Sequence, residues 1–303
     1  MQLGSDLARR QGISRRRFFQ GAVGKAGWNP ALAGRPQTLE DLKFANCFKE
    51  ILLDSDTQVA LISGSGSEEP RDWFLTNETK AEARAKVNRR AGTRRLFSHA
   101  VLMPGPPGWP DKVDRDLELL QPDSFKGYTV GENTSKHLVR HPWQLDDEKL
   151  LCPFHEKRVR AARTRPSLAN VCVHKGLFPQ AVAEPHLCAA MLGQRIKGLG
   201  ADHVVWGTDA VWTGAPQWQI GALRRLEIPP QMQQQHGFAP LGAADGPVKS
   251  AIFGENSARL YHFTRPQRAA LAQDHVAQAK SDYDQHGDSR TNLRYGCLDP
   301  RRA

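Results

Sequence analysis

The sequence predicts an α/β fold built on a parallel sheet. From Thr38 onward, short β-rich apolar runs alternate with longer segments of helical periodicity, the pattern of strands joined by crossover helices. Each run ends at a polar or glycine-rich turn. The 303 residues, 39% hydrophobic and 24% charged, suffice for one large domain of this class or two small ones and exclude disorder throughout.

Five strands are expected, at Gln58 to Ile62, Leu96 to Leu102, Ser124 to Thr129, Asn170 to His174 and His203 to Gly207. Their Val, Ile and Phe content suits a sheet covered on both faces. The first expected helix, Thr38 to Glu50, opens with the capping box Thr38-Leu39-Glu40-Asp41, and Leu39, Leu42, Phe48 and Ile51 recur at near-helical spacing. That stripe suits core packing. Further helices are expected over Asn77 to Arg90, Asp111 to Leu120, Asp146 to Ala162, His186 to Leu199, Gln217 to Leu226 and Glu255 to Tyr261. A long, partly exposed C-terminal helix follows at Arg265 to Gln285. The proline-rich segment from Pro104 to Pro110 and Ile228-Pro229-Pro230 read as loops. The organisation is thus a basic, loosely ordered arm over 1–37, a body over 38–263, and a C-terminal helix and tail over 264–303.

Composition narrows the classes of function. No apolar run approaches the roughly 20 residues of a membrane-spanning helix, so no membrane partner is expected. The five cysteines are widely spread with no C-x-x-C pair, which argues against a disulfide framework or zinc knuckle, and Cys172 reads as a small buried hydrophobe. A net charge of +10 permits contact with anions, but basic residues concentrate in the arm and no nucleic-acid-binding motif accompanies them, so nucleic acid is the least favoured partner. Within the arm, Ser14 to Gln20 looks like a twin-arginine export signal without its apolar region, so a cytoplasmic location is expected, with periplasmic export as the minority reading.

Reactive groups in a parallel α/β fold gather where strands end, because the following loops converge on one side of the sheet. His99, Lys126, His174 and Asp209 lie at or just beyond the ends of four of the expected strands. Neutral imidazole and ionised carboxylate are ligands for a water-activating divalent metal, and Asp209 could also accept the proton of that water. His174 and Asp209 are therefore the candidate metal ligands and Asp209 the candidate catalytic group. Lys126, His99 and Trp206 are candidate pocket residues. A core histidine and a helix N-cap are the plain alternatives for His174 and Asp209.

Three segments carry a resemblance: Asn170 to Leu177, Gly198 to Asp209, and Ile252 to Tyr261. They resemble the amidohydrolase-related family of metal-dependent (β/α)8-barrel enzymes, over about Val23 to Tyr295. The resemblance matches His174 to the histidine ending that family's fifth strand and Asp209 to the aspartate ending its last. It places Lys126 on the fourth strand, where some members use a carboxylated lysine. It implies a small-molecule substrate and a divalent metal, zinc by expectation.

The departures have physical consequences. The family's first strand ends in His-x-His, yet no two of the 11 histidines here are separated by one residue. A second segment, with strands six and seven and another histidine, is missing near Ala181 to His186. Five strands of eight cannot close a barrel, so the expected fold is an incomplete, TIM-barrel-like sheet with open edges that a homo-oligomer could cover. Two ligands fall short of the three of a catalytic zinc site, so binding should be weak. The expected function is an impaired metal-dependent hydrolase, or by analogy a decarboxylase. The alternatives are a catalytically dead remnant or scaffold and, behind both, a basic anion-binding protein.

Overall fold

A computed structural model describes residues 44–64, 66, 73, 75–127, 141, 143, 147–173, 184–208, 210 and 214–287. The basic arm, the Thr38 capping box and the C-terminal tail lie outside them. In chain order the elements are α1 (Phe44–Phe48, extended by a π-helical turn, Lys49–Leu53), β1 (Ala60–Ile62), α2 (Asn77–Ala91), β2 (Leu96–Val101), α3 (Trp109–Arg115, extended by a π-helical turn, Asp116–Leu120), β3 (Ser124–Gly127), α4 (Glu148–Ala162) and β4 (Val171–Val173). There follow α5 (Pro185–Leu199), α6 (Gln217–Arg225), α7 (Pro230–His236), α8 (Pro247–Ser250), α9 (Asn256–Leu260), α10 (Arg265–Ala270) and α11 (His275–His286).

The chain divides into two compact units, one holding described residues 59–173 and 260–277, the other 44–58, 184–259 and 278–287. The first is α/β. Its four strands form a sheet in the order β1-β2-β3-β4, every neighbouring pair parallel. Helices α2, α3 and α4 lie between successive strands in sequence, as parallel pairing requires.

The register sorts side chains between two faces. Ala100, Leu102 and Phe125 share one face and bury against Val113, Leu151, Phe154 and Leu168, with the Phe125 and Phe154 rings edge to face at 5.1 Å. Gly127 is needed beside them, because a Cβ there would stand 2.8 Å from the Trp143 ring. On the opposite face Phe97 packs edge-on against Tyr261 and Phe263, at 5.6 and 5.8 Å. At the amino end of β3, Asp123 accepts from Ser98 N at 2.7 Å and pairs with Arg84 at 3.1 Å and with Arg94. Strand pairing is thereby pinned from below.

The second unit is helical among its described residues. Leu192, Leu223, Ile228, Leu241 and Ile252 form its core, and Gly193 lets Phe238 approach, since a Cβ there would meet its ring at 2.5 Å. No helix among the described residues is long and apolar enough to cross a membrane.

Two expectations are corrected. The fifth strand, His203 to Gly207, does not form: Ala201–His203 is a 3-10 turn, and no described strand pairs with the residues after it. The Asn256 side-chain amide donates to the carbonyls of Ala201, in that turn, and Val204, at 2.8 and 2.7 Å, so the Val204 carbonyl is satisfied without a strand partner. The long C-terminal helix is also broken. A 3-10 turn over Leu271–Gln273 leads to Asp274, whose extended backbone and carboxylate restart the helix by accepting from Ala277 N at 2.8 Å.

Candidate functional site at the carboxyl ends of the strands

Helix α2 begins at the carboxyl end of β2, and Asn77 fixes that placement. Its side-chain oxygen accepts from Val101 N at 2.8 Å, while its amide donates to Asp116 Oδ2 at 2.6 Å. Thr76 caps the helix by accepting from Thr79 N at 3.2 Å. Three residues beyond Asn77, and so on the same helix face, stands Lys80. It is fully buried and its Nζ has no hydrogen-bond partner.

Pairing of His99 with Ser124 and of Val101 with Lys126 puts His99 and Lys126 on one face of the sheet, both buried. Ser63, just beyond β1, continues that face: its Oγ lies 3.2 Å from His99 Nδ1. The other ring nitrogen, Nε2, lies 2.9 Å from the Tyr261 hydroxyl. Burial first, then the positive charges of Lys126 and Lys80, pushes the His99 imidazole down to about 3. It is neutral at physiological pH, with one ring nitrogen donating and the other accepting. Burial, and after it the charges of Cys172 and Asp123, also raises the Tyr261 phenol well above its usual range.

These values decide what the dyad can do. Ser63 and His99 are spaced like a nucleophile and its base, but imidazolium formation is opposed here by two lysines and assisted by no carboxylate. His99 is a poor general base. Together with Tyr261 it is a neutral hydrogen-bonding relay on the sheet face.

Lys80 is different. Burial, then the charge of Lys126, lowers its amine to about 7 against the opposing pull of Asp116 and Glu78. Burial likewise raises the Asp116 carboxyl, with the Asn77 hydrogen bond and the charge of Lys112 acting against it. Asp116 Oδ1 has no hydrogen-bond partner. An amine and a carboxyl oxygen, each buried and unsatisfied, thus adjoin the carboxyl end of β2.

The sequence-predicted residues are distributed unevenly. His99 and Lys126 come together as expected, whereas Trp206 belongs to the second unit, where it packs against Phe253 with ring centroids 5.0 Å apart. His174 and Asp209 lie outside the described residues. Cys172, read as a buried hydrophobe, is half-buried and in register with Lys126. Sequence reasoning missed Lys80, Asp116, Ser63 and Tyr261. A signal existed for Lys80: it falls on the inward stripe of α2 with Val87 and Ala91, a charged residue at a core position. No group of three or more His, Cys, Asp or Glu that could hold a metal ion occurs among the described residues. No family model matches the chain, and neither does any curated protein or solved structure.

Proposed function

We propose that the chain is an impaired relative of the metal-dependent (β/α)8-barrel hydrolases, acting on or binding a small molecule at the carboxyl ends of its strands. The observation that carries the reading is the set of buried or part-buried polar side chains Ser63, His99, Ser124 and Lys126 on the sheet face that also carries Phe97 and Val101, where an ordinary two-sided parallel sheet is apolar throughout. Strand order supports it too, since each strand pairs with its predecessor, as around a barrel, with a helix between them in sequence. The open edges, β1 and β4 in the described sheet, suit coverage by a second copy.

The family's metal finds no complete ligand set in the described residues. Both His99 nitrogens are within hydrogen-bonding distance of protein oxygens, so a metal there would have to displace Ser63 or Tyr261. His174 and Asp209, the ligands that the resemblance implies, belong to different units and are one short of a catalytic zinc set, and no proton transfer here is assigned to a metal. The protein's own residues supply a neutral relay, a weakly basic amine and a buried carboxyl. Purified from zinc-supplemented medium, the protein should carry well under one zinc per chain by elemental analysis. A full ion that disappears in both His174→Ala and Asp209→Asn would contradict the impaired reading and restore an active hydrolase.

A further inference from the structure

We propose that the amino ends of the strands form a docking surface for an anionic phospholipid bilayer. The fold gathers there arginines that the sequence scatters. Parallel strands with a helix between each pair bring the last turns of α2, α3 and α4 to the amino ends of β2, β3 and β4, the end of the sheet opposite Lys80. Hydrogen bonds fix this arrangement. Asn88, near the end of α2, accepts from Leu96 N at 2.8 Å, and Arg84 donates to the carbonyls of Leu120 and Gln121, each at 2.7 Å. Arg165 donates to the Leu117 carbonyl at 2.9 Å, and Arg158 to that of Ala169, just before β4.

Charge points to an anionic partner. One buried carboxylate, Asp123, pairs with Arg84 and Arg94 and attracts Arg165, while also accepting from Ser98 N. Arg89 and Arg90 of α2, with Arg160 and Arg163 at the end of α4, are exposed and pair with no carboxylate among the described residues. Exposed Glu118 opposes them, and Glu82 and Glu156 lie further back along α2 and α4. Basic last turns also offset helix dipoles, but that role leaves the apolar side chains of this end unexplained. Leu119, in the last turn of α3, is 68% exposed, and Val159, between Arg158 and Arg160, is 54% exposed. The other large apolar side chain exposed in the α/β unit, among the described residues, is Leu61 on the edge strand β1.

Arginines beside exposed aliphatic side chains match a bilayer surface, where phosphate-bearing headgroups overlie the acyl boundary. Contact of this kind needs no spanning helix. A nucleic acid would use the arginines and leave the aliphatic side chains idle. It would also favour a ring on which to stack a base, whereas Phe97 here is buried, with the Arg94 guanidinium 4.0 Å from its centroid.

The inference rests on no part of the hydrolase reading. The full-length protein is sedimented with phosphatidylcholine vesicles, with and without phosphatidylserine. Binding should require phosphatidylserine and weaken as salt rises. Arg89→Ala/Arg90→Ala and Arg160→Ala/Arg163→Ala should each weaken it roughly tenfold. Arg115→Ala/Lys149→Ala removes the same charge away from this end, since Arg115 pairs with Glu78 in the first turn of α2 and Lys149 lies in the first turn of α4. That control should stay within about twofold of the wild type. Leu119→Ser/Val159→Ser should weaken binding about threefold or more at unchanged charge. All these side chains are exposed, so the variants should fold. Equal binding by the wild type and both end-surface arginine variants would assign the contact to the basic arm and overturn the proposal. Failure to sediment with phosphatidylserine would overturn it too, as would full binding by the Leu119/Val159 variant or retention on a single-stranded oligonucleotide without vesicle binding.

Discussion

His99 shows how a single residue's surroundings override its reputation. An imidazole at a strand end invites a metal or general-base role, yet burial and two lysines hold it neutral, with Ser63 and Tyr261 at its two nitrogens. Its folded value of about 3 lies below the unfolded value near 6.5, so the unfolded chain binds the proton first. This contribution to stability is whole above pH 6.5 and is lost progressively as pH falls toward 3. His99→Gln keeps a donor and an acceptor without titrating. Its melting temperature should therefore fall less than that of the wild type between pH 7 and pH 5, by thermal denaturation, and parallel losses would show that His99 does not govern that limb. The residue types at the strand ends were legible in the sequence. Their protonation was not, because it depends on lysines contributed by α2 and β3.

Among elements, the interrupted C-terminal helix is the most instructive. Asp274 sits where a polar residue would continue an amphipathic pattern, and nothing local marks it as a break. Its cause is distant: Arg95, at the threshold of β2, bonds both carboxylate oxygens at 2.6 Å, and Thr93 bonds one of them. Burial alone would raise the Asp274 carboxyl, but the hydrogen bonds from Arg95, Thr93 and Ala277 N and the Arg95 charge outweigh it and hold the group below its ordinary value. Asp274→Ala would take the carboxylate away from the buried Arg95 guanidinium, a loss on the order of 3 kcal/mol. Urea denaturation should register that loss, and a change under about 0.5 kcal/mol, the range of an ordinary surface substitution, would show the pair to be dispensable. The strands β1 to β4 and helices α2, α4, α5 and α6 follow from apolar periodicity, because packing and propensity agree there. The fifth strand does not, since an extended β-rich run needs a strand partner, and among the described residues the Val204 carbonyl bonds the Asn256 amide instead. Helix α7 was hidden by Pro229-Pro230, which reads as a breaker although proline also suits the first helical position.

At the scale of the whole molecule, the α/β class was written in the alternation of runs, and the parallel sheet bears it out. The division into two units was not, because the second unit's helices continue the same periodicity without a linker of distinct composition. The site was half legible: His99 and Lys126 stand together, while the Lys80 and Asp116 pair emerges only when α2 and α3 are folded onto the strand ends. A buried amine without a hydrogen-bond partner costs stability. Its signature is thermodynamic. With a folded value of about 7 against about 10.5 unfolded, Lys80 makes the unfolded chain bind the extra proton between those limits, so stability must rise with pH across that window. The melting temperature of the wild type and of Lys80→Met, followed from pH 7 to pH 10, tests this directly. The account predicts that the variant is the more stable at pH 7, by on the order of 1–3 kcal/mol, and that its advantage shrinks as pH rises. A variant less stable than the wild type at pH 7, or a difference that does not change with pH, would contradict it.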